Sequence, residues 1–177
     1  NMGRAYQELG LLDTALHNFN KSLNYNERNR SDIGKVICHN SISQVLILQK
    51  KYEEAYQFIQ EVVPLALKLK YDYYTSDVYN TLGYCQIKKG DLKAAEKSIR
   101  KSLDIAAKTS ITHNVSLSYQ HLSEVYDLKK DYKKAFQYYK KSIEVKNKVF
   151  NDRNVLYVNN LINKYDNEVK NNELKSL

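Results

Sequence analysis

Four carboxamides recur at one 40-residue spacing: Asn40, Asn80, Gln120 and Asn160. A side-chain amide both donates and accepts hydrogen bonds, so a column of them can hold an extended peptide by its backbone whatever its sequence. Gln44, Tyr84 and Glu124 lie four residues further on, on the same helical face. Tyr84 offers the large contact area that Tyr often supplies at interfaces. Asn40, Gln44, Asn80, Tyr84, Gln120, Glu124 and Asn160 are therefore the candidate ligand-binding set. Two readings stay open. The amides contact a ligand, or they join neighbouring helices through polar contacts; Tyr84 likewise is a contact residue or a packed, half-buried ring.

Catalytic chemistry finds no such pattern. His17, His39, His113 and His121 are scattered, without the helical two-His spacing of a metal site, and there is no Gly-rich phosphate loop. Asp and Glu read as helix caps and solvated faces. No catalytic residue, metal or cofactor is expected. Cys38 and Cys85, both in apolar-rich helical segments, read as free buried thiols rather than as a metal site or a disulfide framework.

The net charge of +8 comes from lysines spread along helices, often beside Asp or Glu. The densest run, Lys129, Lys130, Lys133, Lys134, Lys140 and Lys141, would steer an anionic partner or surface toward it. Nucleic-acid binding would need a basic stripe with defined reading groups. The nearby rings of Tyr126, Tyr132, Tyr138 and Tyr139 are spaced for core and interface packing instead. No apolar run approaches the ~18 residues of a membrane span.

The elements that position these residues are set by a second column. Ala15, Ala55, Ala95 and Ala135 are again 40 apart, each with a large apolar residue three before it and Phe19, Ile59, Ile99 or Tyr139 four after. A fixed period of this size means a repeat array. One Pro and five Gly are too few for strands joined by tight turns, so the units are helical. Helices are expected to end at Gly10, to run over about 13–29 with Asp13 as cap, and over 32–49 after Ser31. A further helix over 52–70 should be kinked rather than stopped by Pro64, since it removes one hydrogen bond. Gly90-Asp91 and Lys130-Asp131 make the later turns. The chain reads as four hairpins over 1–150, the first truncated, and a capping helix over 151–177. Val155, Val158, Ile162, Tyr165 and Val169 make one apolar seam on that helix. Its first half should cover the fourth unit, and its tail should lead toward an output domain or pair with a second copy as a homodimer. The chain, beginning with Asn in mid-helix, reads as a piece of a longer protein.

The units read Tyr79-x-x-Leu82-Gly83 then Ala95-x-x-x-Ile99, and Tyr119-x-x-Leu122-Ser123-x-x-Tyr126 then Ala135-x-x-x-Tyr139. This resembles the tetratricopeptide repeat. The small residues Gly3, Ser43, Gly83 and Ser123 would let paired helices approach closely. The period departs from the family's usual ~34 residues, and its closing proline is missing. The resemblance implies an all-α, right-handed superhelix of antiparallel helix hairpins that binds a protein or peptide, with the amide column on the concave side. The Lys/Arg/Asn clamp by which some members hold a terminal carboxylate is not reproduced. The stretch from Tyr139 to Asn151, followed by Leu161-x-x-Lys164-Tyr165-Asp166-x-Glu168, is similar to the end of the repeat region in Bacteroidetes-type sensor proteins. That likeness implies the sensing or assembly part of a larger regulator, periplasmic if the likeness holds and otherwise cytoplasmic. The alternative is a structural scaffold that self-associates without a peptide ligand.

Overall fold

The computed structural model describes residues 2–148, and every element in that span is a helix. The elements are α1 (Met2–Glu8), α2 (Leu12–Arg28), α3 (Asp32–Leu48), α4 (Tyr52–Leu69), α5 (Asp72–Lys88), α6 (Leu92–Lys108), α7 (Thr112–Leu128) and α8 (132–148). They pair as four antiparallel hairpins stacked into a right-handed superhelix. The capping helix expected over 151–177, with Asn160 in it, lies outside the described residues.

A left-handed residue closes each of α1 to α7 at 20-residue intervals: Gly10, Arg30, Lys50, Lys70, Gly90, Ser110 and Lys130. In six of the seven turns the next amide reaches back to an orphan carbonyl, as in Lys51 N to Leu46 O at 2.9 Å and Asp91 N to Gln86 O at 3.0 Å. Only two of the seven are glycines, so the turns are legible from spacing more than from residue type. The α4–α5 turn departs: the Thr75 hydroxyl takes the place of that amide on Ala66 O, at 3.0 Å. Pro64 sits inside α4 without ending it. Ser31 and Asp91 cap their helices through their side chains, accepting from Gly34 N and Ala94 N. Asp13 does not cap α2. The helix begins at Leu12, which puts Asp13 inside its first turn, and its carboxylate accepts instead from Gln49 Nε2 at 2.8 Å.

The alanine column is where the hairpins close. Ala15, Ala55 and Ala95 are fully buried and Ala135 is 8% exposed. The small residues of the facing helix meet it. A Cβ on Gly83 would stand 2.5 Å from Ile99 Cγ1, and one on Gly3 would stand 2.8 Å from the Phe19 ring. At the fourth hairpin Ser123 keeps the contact by donating to Ala135 O at 2.8 Å.

The first helices of successive hairpins also touch, α3 with α5 and α5 with α7, whereas α2, α4 and α6 make no comparable contact with one another. The first helices are therefore the inner, concave layer. Their burial shows it: ten residues of α5 are buried against five of α6 at equal length.

Cys38 and Cys85 are free and buried. Burial pushes the Cys85 thiol up to about 12. Alkylation of the native protein at pH 8 is expected to spare Cys85 for as long as the fold holds. Labelling of Cys85 as fast as in urea would contradict its place in the core.

Candidate functional site: the concave groove

On an inner helix, residues 37, 41, 44 and 48 and their 40-residue equivalents form one stripe at helical spacing. That stripe faces the hollow of the superhelix. Two adjoining cavities lie along it. One, of about 230 Å³, is lined from all four inner helices: Gln7, Gln44, Ile47, Leu48, Thr81, Tyr84, Leu117 and His121. The other, of about 100 Å³, has a more polar floor that includes Arg4, Asn40, Gln44 and Asp77. Gln7 and Gln44 line both, so the two make one continuous groove.

Tyr84 is half-buried at the centre of the larger cavity. Its ring stacks on His121 with centroids 4.9 Å apart, and the Lys88 ammonium stands 4.7 Å from its centroid. Lys88 in turn pairs with Glu124 at 2.6 Å, which raises the lysine's pKa through that hydrogen bond. Burial, helped by the Lys88 charge, pushes His121 down to about 4, so the imidazole is neutral across the physiological range. Gln44, Tyr84 and His121 thus give this floor an aromatic surface with polar rims and no titrating cation except the tied Lys88.

The amide column stands one position before the stripe, turned about 100° toward the next inner helix. That offset decides its contacts. Asn40 donates to Asp77 Oδ2 of α5 at 2.6 Å. Asn80 donates to Asn114 O of α7 at 3.2 Å and accepts from the Ser118 hydroxyl at 3.0 Å. Asn114 itself is buried and donates to Ser76 Oγ at 2.7 Å. At Asn80, which is 1% exposed, the amide joins inner helices rather than facing the hollow. Asn40 does both, lining the smaller cavity while bridging to α5. Gln120 and Glu124 border the α7–α8 end, in a cavity of about 540 Å³ with Tyr132, Phe136 and Tyr139.

The two middle members of the column should therefore respond differently. Asn80→Ala is expected to cost about 1–3 kcal/mol, because it removes two buried hydrogen bonds and leaves the Ser118 hydroxyl only its 3.2 Å contact with Ser102 Oγ. Gln120→Ala should leave the melting temperature nearly unchanged. Equal melts for both variants would mean that the Asn80 bonds contribute nothing to folding.

Reasoning from the sequence missed Asp77 and His121. The signal was the stripe itself, since both sit on it three residues from a singled-out position: Asp77 from Asn80, His121 from Glu124. Among the tyrosines read as packing, Tyr126 and Tyr138 do pack, stacked with centroids 5.4 Å apart. Tyr132 and Tyr139 are more than half exposed, on the side of α8 that lines the open cavity beside α7. On the outer side Glu96 accepts from Arg100, Tyr126 and Lys129 at 2.5–2.8 Å. Burial opposes its ionisation, but those three donors outweigh it and hold the carboxyl at about 2. Among the described residues no three His, Cys, Asp or Glu side chains gather as a metal site, and no helix is long and apolar enough to cross a membrane.

Helix hairpins stacked on a fixed period, with a cavity lined across the inner layer, define a helical-repeat solenoid. A tetratricopeptide-repeat family model matches residues 74–148, the third and fourth hairpins. No curated protein matches the chain in sequence. The crystal structure of BtubC (BKLC) from P. vanneervenii is similar at a TM-score of 0.70 and 18% identity, over 84% of this chain and 61% of that one. Aspartyl phosphate phosphatase F from Bacillus subtilis is similar at 0.73 and 15%, over 84% and 39%. The TPR domain of Arabidopsis FLU is similar at 0.59 and 19%, over 64% and 95%. At these identities the likeness shows the fold. The chain spans less than two thirds of BtubC and of phosphatase F.

Proposed function

We propose that this chain is a recognition module that holds a protein or peptide along the concave groove and does no chemistry itself. The observation that carries this is the continuity of the two cavities. They run side by side, the more polar one along α1, α3 and α5 and the more apolar one across all four inner helices, and together they suit an extended segment rather than a single small molecule. Gln44, Tyr84 and Glu124, with Asn40 at the polar end and Gln120 and Asn160 further along, are the residues that would touch it. A half-buried Tyr at the centre of such a surface is where binding energy concentrates once a partner covers it.

Within a longer protein the module would serve sensing or assembly. The support is the sensor-like sequence after Tyr139, and a solved structure of similar fold is that of a phosphatase from Bacillus subtilis. A periplasmic site follows if the sensor likeness holds, a cytoplasmic one otherwise. A second reading is a self-associating scaffold, with a homodimer through the C-terminal segment. It is favoured by Tyr132, Phe136 and Tyr139, exposed by 64%, 68% and 52%.

The two readings separate by photo-crosslinking in cells. A benzoylphenylalanine at position 84 should join a partner chain, while one at exposed Lys97 of α6 should not. Adducts only to a second copy of this chain, or equal adducts from both positions, would refute groove recognition.

A further inference from the structure

The smaller cavity says which chemistry the groove selects. Asn40 is 6% exposed, and its amide nitrogen donates to Asp77 Oδ2 at 2.6 Å. A carboxylate accepts only, so this bond fixes the amide's orientation. The other end, Oδ1, is buried without a hydrogen-bond partner. Asp77 beside it makes no ion pair among the described residues. Two residues with acceptors to offer, one of them a carboxylate, thus line one cavity with no cation bonded to either among the described residues.

The charges around them agree. Burial raises the Asp77 pKa, and the attraction of His113 and Arg4, with the Asn40 bond, offsets that only in part. Arg4 is exposed, on the rim of the same cavity, where water and salt screen it. More widely, the inner helices α1, α3, α5 and α7 carry three basic and six acidic residues, and the outer helices fourteen and eight. The inner layer is thus the acidic layer of a basic protein.

We propose that Asn40 and Asp77 form a subsite for the ammonium or guanidinium of a Lys or Arg side chain on the bound peptide, next to an apolar side chain seated at Tyr84, Ile47 and Leu117. The proposal rests on the groove reading above and adds a specificity to it. A side chain rich in N–H donors satisfies the orphan Asn40 oxygen and supplies the charge that Asp77 lacks. Charge-assisted bonds of this kind are the stronger ones, and they act in register with the neighbouring apolar contact.

A library of random N-acetylated dodecapeptides, exposed to the 177-residue chain, tests it. The acetyl group removes the N-terminal ammonium, so only side chains compete. The net charge of +8 would by itself favour acidic peptides, so enrichment of Lys or Arg beside an apolar residue is the discriminating result. For a recovered peptide, replacing arginine by citrulline or lysine by norleucine should weaken binding about tenfold. Asp77→Asn should weaken the parent peptide equally and leave the uncharged peptide unaffected, as a direct pair requires in a double-mutant cycle. Arg4→Gln, an exposed change, should tighten the basic peptide about twofold by removing a competitor. Enrichment without a basic position, or equal affinity of Asp77→Asn for the parent, would overturn this subsite. If Tyr84→Ala still weakened those peptides tenfold, the groove reading would stand without it. Failure to recover any peptide sensitive to Tyr84→Ala would overturn both.

Discussion

Ala95→Leu is expected to destabilise the array by about 2–3 kcal/mol, which lowers the melting temperature by roughly 5–10 °C for a domain of this size. Ala95 is fully buried where α6 lies closest to α5. The Gly83 position shows how close that is, since even a Cβ there would stand 3.4 Å from Ala95 O and 2.5 Å from Ile99. Ile99 is itself fully buried and has nowhere to move. A leucine would have to spread the two helices, and every later hairpin inherits that displacement because each stacks on the one before. Lys97→Leu, on the exposed side of the same helix, should stay within about 0.5 kcal/mol. Ala135→Leu should cost less than Ala95→Leu, because Ala135 is 8% exposed. Equal melts for Ala95→Leu and Lys97→Leu would show the repeat register to be wrong.

Acid should unfold the protein in two windows. The first belongs to His121, whose folded pKa of about 4 lies below its ordinary 6.5. As pH falls, the unfolded chain takes up the proton first. The stability tied to the neutral imidazole is therefore complete above pH 6.5 and is lost on the way down to 4. A shift of this size, discounted because the ring borders the groove, corresponds to about 2 kcal/mol. The second window belongs to Glu96, held at about 2 against an ordinary 4.5. Its ion pairs are complete above pH 4.5 and are lost as pH falls toward 2, with about 1 kcal/mol at stake after screening. His121→Leu should abolish the loss in urea resistance between pH 6.5 and 4.5 while keeping the loss below 4.5. A variant that weakens in parallel with the parent from pH 7 to 4.5 would rule out His121 as the first group.

Much of this was legible in the residues because packing repeats. Alanine at 15, 55, 95 and 135 and small residues at 3, 43, 83 and 123 can have one meaning when both recur on one period, which is a pair of helices in close contact. The turn positions were legible for a similar reason, although Arg30, Lys50 and Lys130 adopt a backbone that glycine would favour. The tertiary partner of a polar side chain was not legible. Asn40 and Asn80 share a column, yet one meets Asp77 and the other Asn114 and Ser118, because the residues opposite them on the next inner helix do not repeat. A rotation of about 100° between positions 80 and 81 separates an amide inside the wall from a residue in the groove. Asp77 and His121 were not among the candidate site residues because neither belongs to a column of its own kind: their equivalents are Ile37 and Leu117, and Ser41 and Thr81.

The central claim is that the inner helices form the binding surface. Backbone and side-chain NMR shifts of the labelled chain, titrated with a peptide recovered from the library, measure that directly. The account predicts changes on α3, α5 and α7 centred on Gln44, Tyr84 and His121, with α4, α6 and α8 nearly silent. Changes concentrated on the basic outer helices, with Tyr84 and His121 unmoved, would contradict it.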